Sequence, residues 1–225
     1  MTRSFRILAV AATATLLPGP AVAEPKAKNN AGAPAAQGGS VRVISPIFGQ
    51  LVMFSLPRRF KTAFENTKDN GYIREAVPES ESVERWSQMI TVTGTKGAAS
   101  NPQARPQSFA AGIAGGFKRA CPDTFAAKPI GAIKIGVHDA FVALASCGTV
   151  TSRAGEHSET ALLIAIRGTA DIYTIQWAER AAASSQPLAV DPERWKTRVD
   201  QLGPIRLCPL VPGEAAPYPS CIKAP

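Results

Sequence analysis

Two histidines, a run of glutamates, three tryptophans and four cysteines are the side chains of this 225-residue chain from which chemistry could be built. His138 stands in His138-Asp139-Ala140 and His157 beside Gly155-Glu156, and turn-forming neighbours make both solvated loop residues rather than bases. Either could in principle serve a Ser-His-Asp triad. The Gly-x-Ser-x-Gly turn is absent, however, and spacing groups no nucleophile, base and acid, so no catalytic residue can be named. Glu75, Glu79, Glu81 and Glu84 put four carboxylates between Tyr72 and Trp86. Such a run suggests a divalent cation or an acid/base pair, but a calcium loop needs denser Asp and Asn oxygens around a positioned glycine. A solvated acidic loop is the simpler reading. No histidine cluster suggests zinc, and the glycines from Gly112 to Gly116 follow no strand, so they cradle no phosphate. Neither a metal nor a cofactor is implied.

Trp86, Trp177 and Trp195 have rings able to stack on a sugar or line a peptide groove, yet each lies in an apolar pattern that points to core packing. The polar side of the strand beginning near Ile172, with Gln176, Glu179 and Arg180 at its end, is the surface singled out for binding.

The cysteines bear on compartment. Cys121, Cys147, Cys208 and Cys221 form an even set without the close spacing of a metal site or a Cys-x-x-Cys redox pair, and they read as disulfides. Three pairings are open; Cys121 with Cys147 and Cys208 with Cys221 are favoured because each closes a short loop. The N-terminus agrees with an oxidising destination. Arg3 and Arg6 flank a short cationic start, Ile7 to Leu17 is apolar, and Ala21-Val22-Ala23 offers small residues for cleavage before Glu24. Residues 1–23 are therefore expected to be a signal peptide. No cysteine follows the cleavage site to take a lipid, and no later apolar run approaches the roughly 20 residues of a transmembrane helix. A periplasmic or extracellular protein is expected.

The full chain carries 25 Lys and Arg against 17 Asp and Glu, a formal charge of +8. Loss of the leader leaves about +6, a weak attraction to anionic surfaces that names none of them. Arg58, Arg59, Lys61, Arg194, Lys196 and Arg198 are interspersed with acids, so nucleic acid is not an expected partner.

Elements able to position these residues begin after a tether. Residues 24–40 are rich in Ala, Gly, Asn, Pro and Lys and too poor in large apolar side chains to order themselves. Residues 41–225 make one domain of ordinary size. Leu51 to Leu56 reads as a strand stopped by Pro57, and Phe60 to Phe64 and Tyr72 to Val77 flank the hairpin signal Asp69-Asn70-Gly71. Met89 to Thr93 is a further strand. Ile130 to Val137 and Phe141 to Val150 flank residues 138–140, and Ala161 to Arg167 and Ile172 to Ala178 flank Gly168-Thr169-Ala170-Asp171. Tyr173, Ile175 and Trp177 alternate with Thr174 and Gln176, the period of a half-buried antiparallel strand. Two helices are predicted as its cover. One is capped by Asp191, opens on Pro192 and carries Trp195, Val199 and Leu202 on one face; the other runs from Pro106 to Ala120 despite three glycines. The fold class is α+β, a mainly antiparallel sheet covered by helices.

Val52-Met53-Phe54-Ser55-Leu56-Pro57, with Phe60 following, resembles the opening strand and proline turn of the Mog1/PsbP-like α/β/α sandwich. The stretches Tyr72 to Glu75, Trp86 to Val92, Tyr173 to Trp177 and Pro217 to Cys221 are similar to those of exported proteobacterial proteins of unassigned function. Neither resemblance carries over a functional residue, because a fold does not fix a function. With no catalytic constellation, the expected function is a non-catalytic binding or accessory protein of the envelope, whose ligand is a protein, a peptide or a wall polymer. The alternative is a small hydrolase built on the glutamates at 75–84 or on His138.

Overall fold

The computed structural model describes residues 39–223. The expected signal peptide and nearly all of the expected tether lie outside these residues.

Alternation along the strands builds the main sheet. β3 (Phe60–Lys68), β4 (Gly71–Pro78), β5 (Gln88–Thr95), β9 (Ile172–Ala181), β8 (Gly155–Arg167), β7 (His138–Ser152) and β6 (Phe125–Ile135) lie side by side in that order, with every neighbouring pair antiparallel. The β3–β4 turn is the expected Asp69-Asn70 pair, with Asp69 at φ 52° in the left-handed region that Asp tolerates. In β8, Leu162, Ile164 and Ile166 face one side and Ala161, Leu163 and Ala165 the other. Both faces are thus apolar at the sheet's centre, and each needs a layer.

Helices supply only part of that cover, which corrects the sequence expectation. α1 (Pro106–Ala120) lies on the small-residue face of β7 and β8, where Ala143, Ala145, Ala161 and Ala165 meet Ala110. The opposite face is covered mainly by a second sheet. β1 (Ser40–Ile47), β2 (Gln50–Pro57) and β10 (Arg206–Pro209) pair in the order β1-β2-β10, and Val52, Phe54 and Leu56 of β2 join the main core with Tyr173, Ile175 and Trp177. α2 (Pro192–Leu202) completes this layer by inserting Trp195 and Leu202, and the Asp191 carboxylate accepts from the Glu193 amide at 3.0 Å, as its capping position requires. The continuous apolar run of β2 follows from burial on both faces: Leu51 and Met53 pack outward on Cys208 of β10, on Tyr218, and on Cys221 of the short α3 (Pro219–Lys223).

Two disulfides fasten the covers. Cys121 at the end of α1 bonds to Cys147 of β7, and Cys208 of β10 bonds to Cys221 of α3, with α-carbons 5.7 and 5.5 Å apart. No helix among the described residues is long and apolar enough to cross a membrane.

Two elements differ from expectation next to the candidate residues. The β6–β7 turn is Gly136-Val137, with Gly136 at φ 59°, so His138 opens a strand instead of sitting in the turn. β8 likewise begins at Gly155, which places His157 inside a strand and not in a solvated loop; it is 9% exposed.

Candidate functional site

The antiparallel pair β8–β9 has two ends. At its open end, opposite the turn, register places Glu159 beside Arg180 and sends both toward the side of the sheet that α1 covers. Arg180 Nε donates to Glu159 Oε2 at 3.2 Å, and the guanidinium lies over the Trp86 ring at 3.6 Å from its centroid. The stack holds the cation flat and spares it part of the entropy that binding would otherwise cost. Its two terminal nitrogens have no hydrogen-bond acceptor among the described residues.

His157 stands on the same face, two residues before Glu159. Its Nδ1 lies 3.1 Å from the Gly155 carbonyl, which can only accept, so Nδ1 carries the proton. Its Nε2 lies 3.7 Å from Glu159 Oε2, and this buried nitrogen has no hydrogen-bond partner.

These groups border an open depression of about 600 Å³, lined by Arg85, Trp86, Ser87, Ala154, His157, Arg180 and Ala181. The segment that presents Trp86 is fastened by the acidic residues. Glu81 accepts from the Ser87 amide at 2.6 Å and the Ser87 hydroxyl at 2.7 Å. Glu84 accepts from the Ser82 hydroxyl at 2.8 Å; that bond, a backbone bond and the nearby Arg153 charge hold its carboxyl below the usual range. Trp86 itself packs on Val77, Met89 and Ala178.

The glutamates do not converge on a metal. Glu75 lies on the open polar face of β4, where burial raises its carboxyl, while Glu81 and Glu84 are spent within their loop. Among the described residues no group of three or more His, Cys, Asp or Glu could hold an ion. His138 is at the other end of the sheet, with Nδ1 against the Arg167 carbonyl at 3.1 Å.

The three binding candidates separate. Gln176 and Arg180 share a face, with Gln176 donating to Thr174 at 3.4 Å, but Glu179 lies on the opposite face by strict alternation. There Arg198 Nη2 meets Glu179 Oε1 at 2.6 Å and Arg194 Nη2 meets Oε2 at 3.3 Å, so Glu179 anchors α2. Arg198 also lies over Trp177, 4.7 Å from the ring centroid. Sequence reasoning missed His157, Glu159 and Trp86 as neighbours of Arg180; the period-two register of β8 against β9 was the signal that could have found the first two. Trp177 and Trp195 are core residues as expected, whereas Trp86 combines packing with a bound cation.

Among solved structures the chain is similar to a variant of protein Mog1, with 10% identity, a TM-score of 0.39, and coverage of 71% of this chain and 84% of that one. It is also similar to the Saccharomyces cerevisiae Ran-binding protein Mog1p, at 10% identity and a TM-score of 0.37, over 74% of this chain and 86% of that one. No protein-family model matches the sequence, and no curated relative matches it.

Proposed function

We propose that the protein is an exported, non-catalytic binding protein of the cell envelope that holds a carboxylate- or phosphate-bearing ligand at the open end of the β8–β9 hairpin. The observation that carries this reading is the Arg180 guanidinium, flat on Trp86, with one edge on Glu159 and its terminal nitrogens unclaimed. Such a fork is suited to bidentate anion binding. Arg85 on the rim adds a second positive charge. Export is supported by the cationic, apolar and small-residue order at the N-terminus and by the two disulfides.

A hydrolase reading gains little from the same geometry. His157 and Glu159 are adjacent, but the Ser87 hydroxyl on the depression's edge donates to Glu81 and is not poised on the histidine. Titration calorimetry with a tetra-glutamate peptide and with a muramyl peptide tests the proposal. Saturable binding should fall about ten-fold or more in Arg180→Ala, the loss of a charge-assisted pair. Unchanged binding in Arg180→Ala, or turnover of an ester, peptide or glycan that is lost in His157→Ala, overturns it.

A further inference from the structure

One oxygen at the open end of the hairpin is addressed by two basic side chains. Glu159 Oε2 accepts from Arg180 Nε at 3.2 Å, and His157 Nε2 stands 3.7 Å from the same atom. That nitrogen is buried and, alone among the buried side-chain polar atoms of the described residues, has no hydrogen-bond partner. Leaving a buried polar atom unsatisfied costs stability, so a structure that does it calls for a reason.

The surroundings leave the histidine one carboxylate. A proton taken up by the ring goes to Nε2, because the Gly155 carbonyl already holds the one on Nδ1. Arg180 approaches from β9, Arg85 from the loop between β4 and β5, and Arg153 stands in the turn before β8. In that loop Glu81 is occupied by Ser87, and Glu84 by Ser82 and the Arg153 charge. On β7 the residue opposite His157 is Val150, and alternation turns Glu156 to the other face of β8. Only Glu159 remains, and Arg180 already uses it.

We propose that His157 is a positioning residue for Arg180: a proton on Nε2 draws Glu159 Oε2 into an ion pair, loosens its bond to Arg180 Nε and turns more of the guanidinium over to a ligand in the depression. The added charge stands on a wall of that depression, so both changes favour an anion. Anion binding and proton uptake then promote one another by the same factor. Acid tightens binding and alkali loosens it. What the contest for Glu159 does to a ligand rests on the reading of Arg180 as an anion site; the contest itself is measurable without one.

Histidine is the side chain that ordinarily changes charge between about pH 5 and 8, and His138, the other one, lies at the opposite end of the sheet. An N-acetylated tetra-glutamate peptide keeps its carboxylates ionised from about pH 6 to 8, so a change in its affinity reports on the protein. Calorimetry on the full chain should show binding about five-fold tighter at the acid end of that range, with a heat that depends on the buffer's ionisation enthalpy because a proton is taken up. His157→Gln should bind with a flat pH profile and no uptake, and His138→Gln should match the parent chain. Circular dichroism verifies the fold, and His157→Leu serves if His157→Gln is unfolded. Without peptide, the Trp86 indole N–H signal in NMR, identified by Trp86→Phe, should move over the same pH range and stay still in His157→Gln. An indole signal indifferent to pH, or one that still moves in His157→Gln, overturns the proposal whether or not the peptide binds. Peptide binding that is equal at both ends of the range, or tighter at the alkaline end, overturns it as well. No peptide binding at either end, with the indole movement intact, supports the contest for Glu159 and overturns the anion reading alone.

Discussion

The two ends of the β8–β9 hairpin each hold an acid, and they treat it differently. At the turn, Asp171 is 3% exposed and accepts from the Gly49 amide at 2.9 Å, the Gly97 amide at 2.7 Å and the Tyr173 hydroxyl at 3.1 Å. Gln50 accepts from the Thr169 amide at 2.7 Å beside it, so the small sheet, the Gly97 turn and the main sheet are clasped at one carboxylate. Burial and the Asp171 charge together push the Tyr173 phenol far above its usual range. The three donors aimed at Asp171 all find their acceptor in its carboxylate. At the open end, Glu159 meets one nitrogen of Arg180, the arginine keeps unclaimed donors, and His157 faces the carboxylate with an unpartnered Nε2. A satisfied polar cluster supports a structure and has nothing left to offer a ligand; an unsatisfied one on a surface depression has.

The largest expected effect breaks the clasp. Asp171→Ala removes the shared acceptor of the Gly49 and Gly97 amides and of the buried Tyr173 hydroxyl and should lower stability by about 2 kcal/mol or more, read from the guanidinium midpoint, while leaving anion binding at Arg180 intact. Gly168→Ala attacks the same clasp by another route. Its β-carbon would stand 2.2 Å from Gln50 Oε1 and 2.7 Å from the Tyr173 ring, an overpacking cost of roughly 1–3 kcal/mol, visible in the same measurement.

Arg180→Ala should show the reverse: a stability loss of only about 1 kcal/mol, because a cation–π contact and a partly exposed ion pair are modest contributions, together with the loss of binding described above. His157→Leu exchanges an unpartnered nitrogen and one backbone bond for an apolar side chain, and thermal melts should move by no more than about 1 kcal/mol equivalent in either direction. A larger loss would mean that Nε2 is engaged in the folded protein.

The smallest effect concerns Glu75, raised by burial on the open polar face. The folded chain therefore keeps this proton to a higher pH than the unfolded chain does. Its contribution is most favourable below the unfolded value and is lost as pH rises through the folded one. Glu75→Gln should accordingly raise the melting temperature at neutral pH and not in acid, by no more than about 0.5 kcal/mol after solvent screening.

Legibility in the sequence followed local signals. The β3–β4 and β8–β9 hairpins and α2 were readable because Asp69-Asn70-Gly71, Gly168 to Asp171, and Asp191-Pro192 each specify backbone within a few residues. β1 was not, since Arg42, Ser45 and Pro46 interrupt its apolar pattern and its partner β2 supplies the order; β10, with four residues, is too short to show a period. The strand Leu51 to Leu56 was legible, but its membership in a separate covering sheet was not, because burial on both faces erases the alternation that would orient it. His157 was misread for a related reason. The polar run from Thr151 to Thr160 has loop composition, yet it forms the ends of two long paired strands around Arg153-Ala154. Glu179 was grouped with Arg180 by proximity along the chain, against a period of two that separates them.

Cys121–Cys147 holds the far end of α1, and at its near end the Arg167 guanidinium donates to the carbonyls of Ala99, Asn101 and Ala104, the last at 2.6 Å. Pinned at both ends, this helix is a fixed beam and not a lid. The small-residue face beneath it is roofed for good, and Ala145, Ala161 and Leu163 stay sealed from solvent as long as the beam holds. Reduction of that disulfide frees one end of the beam, so an oxidising compartment keeps this roof in place as well as the fold intact.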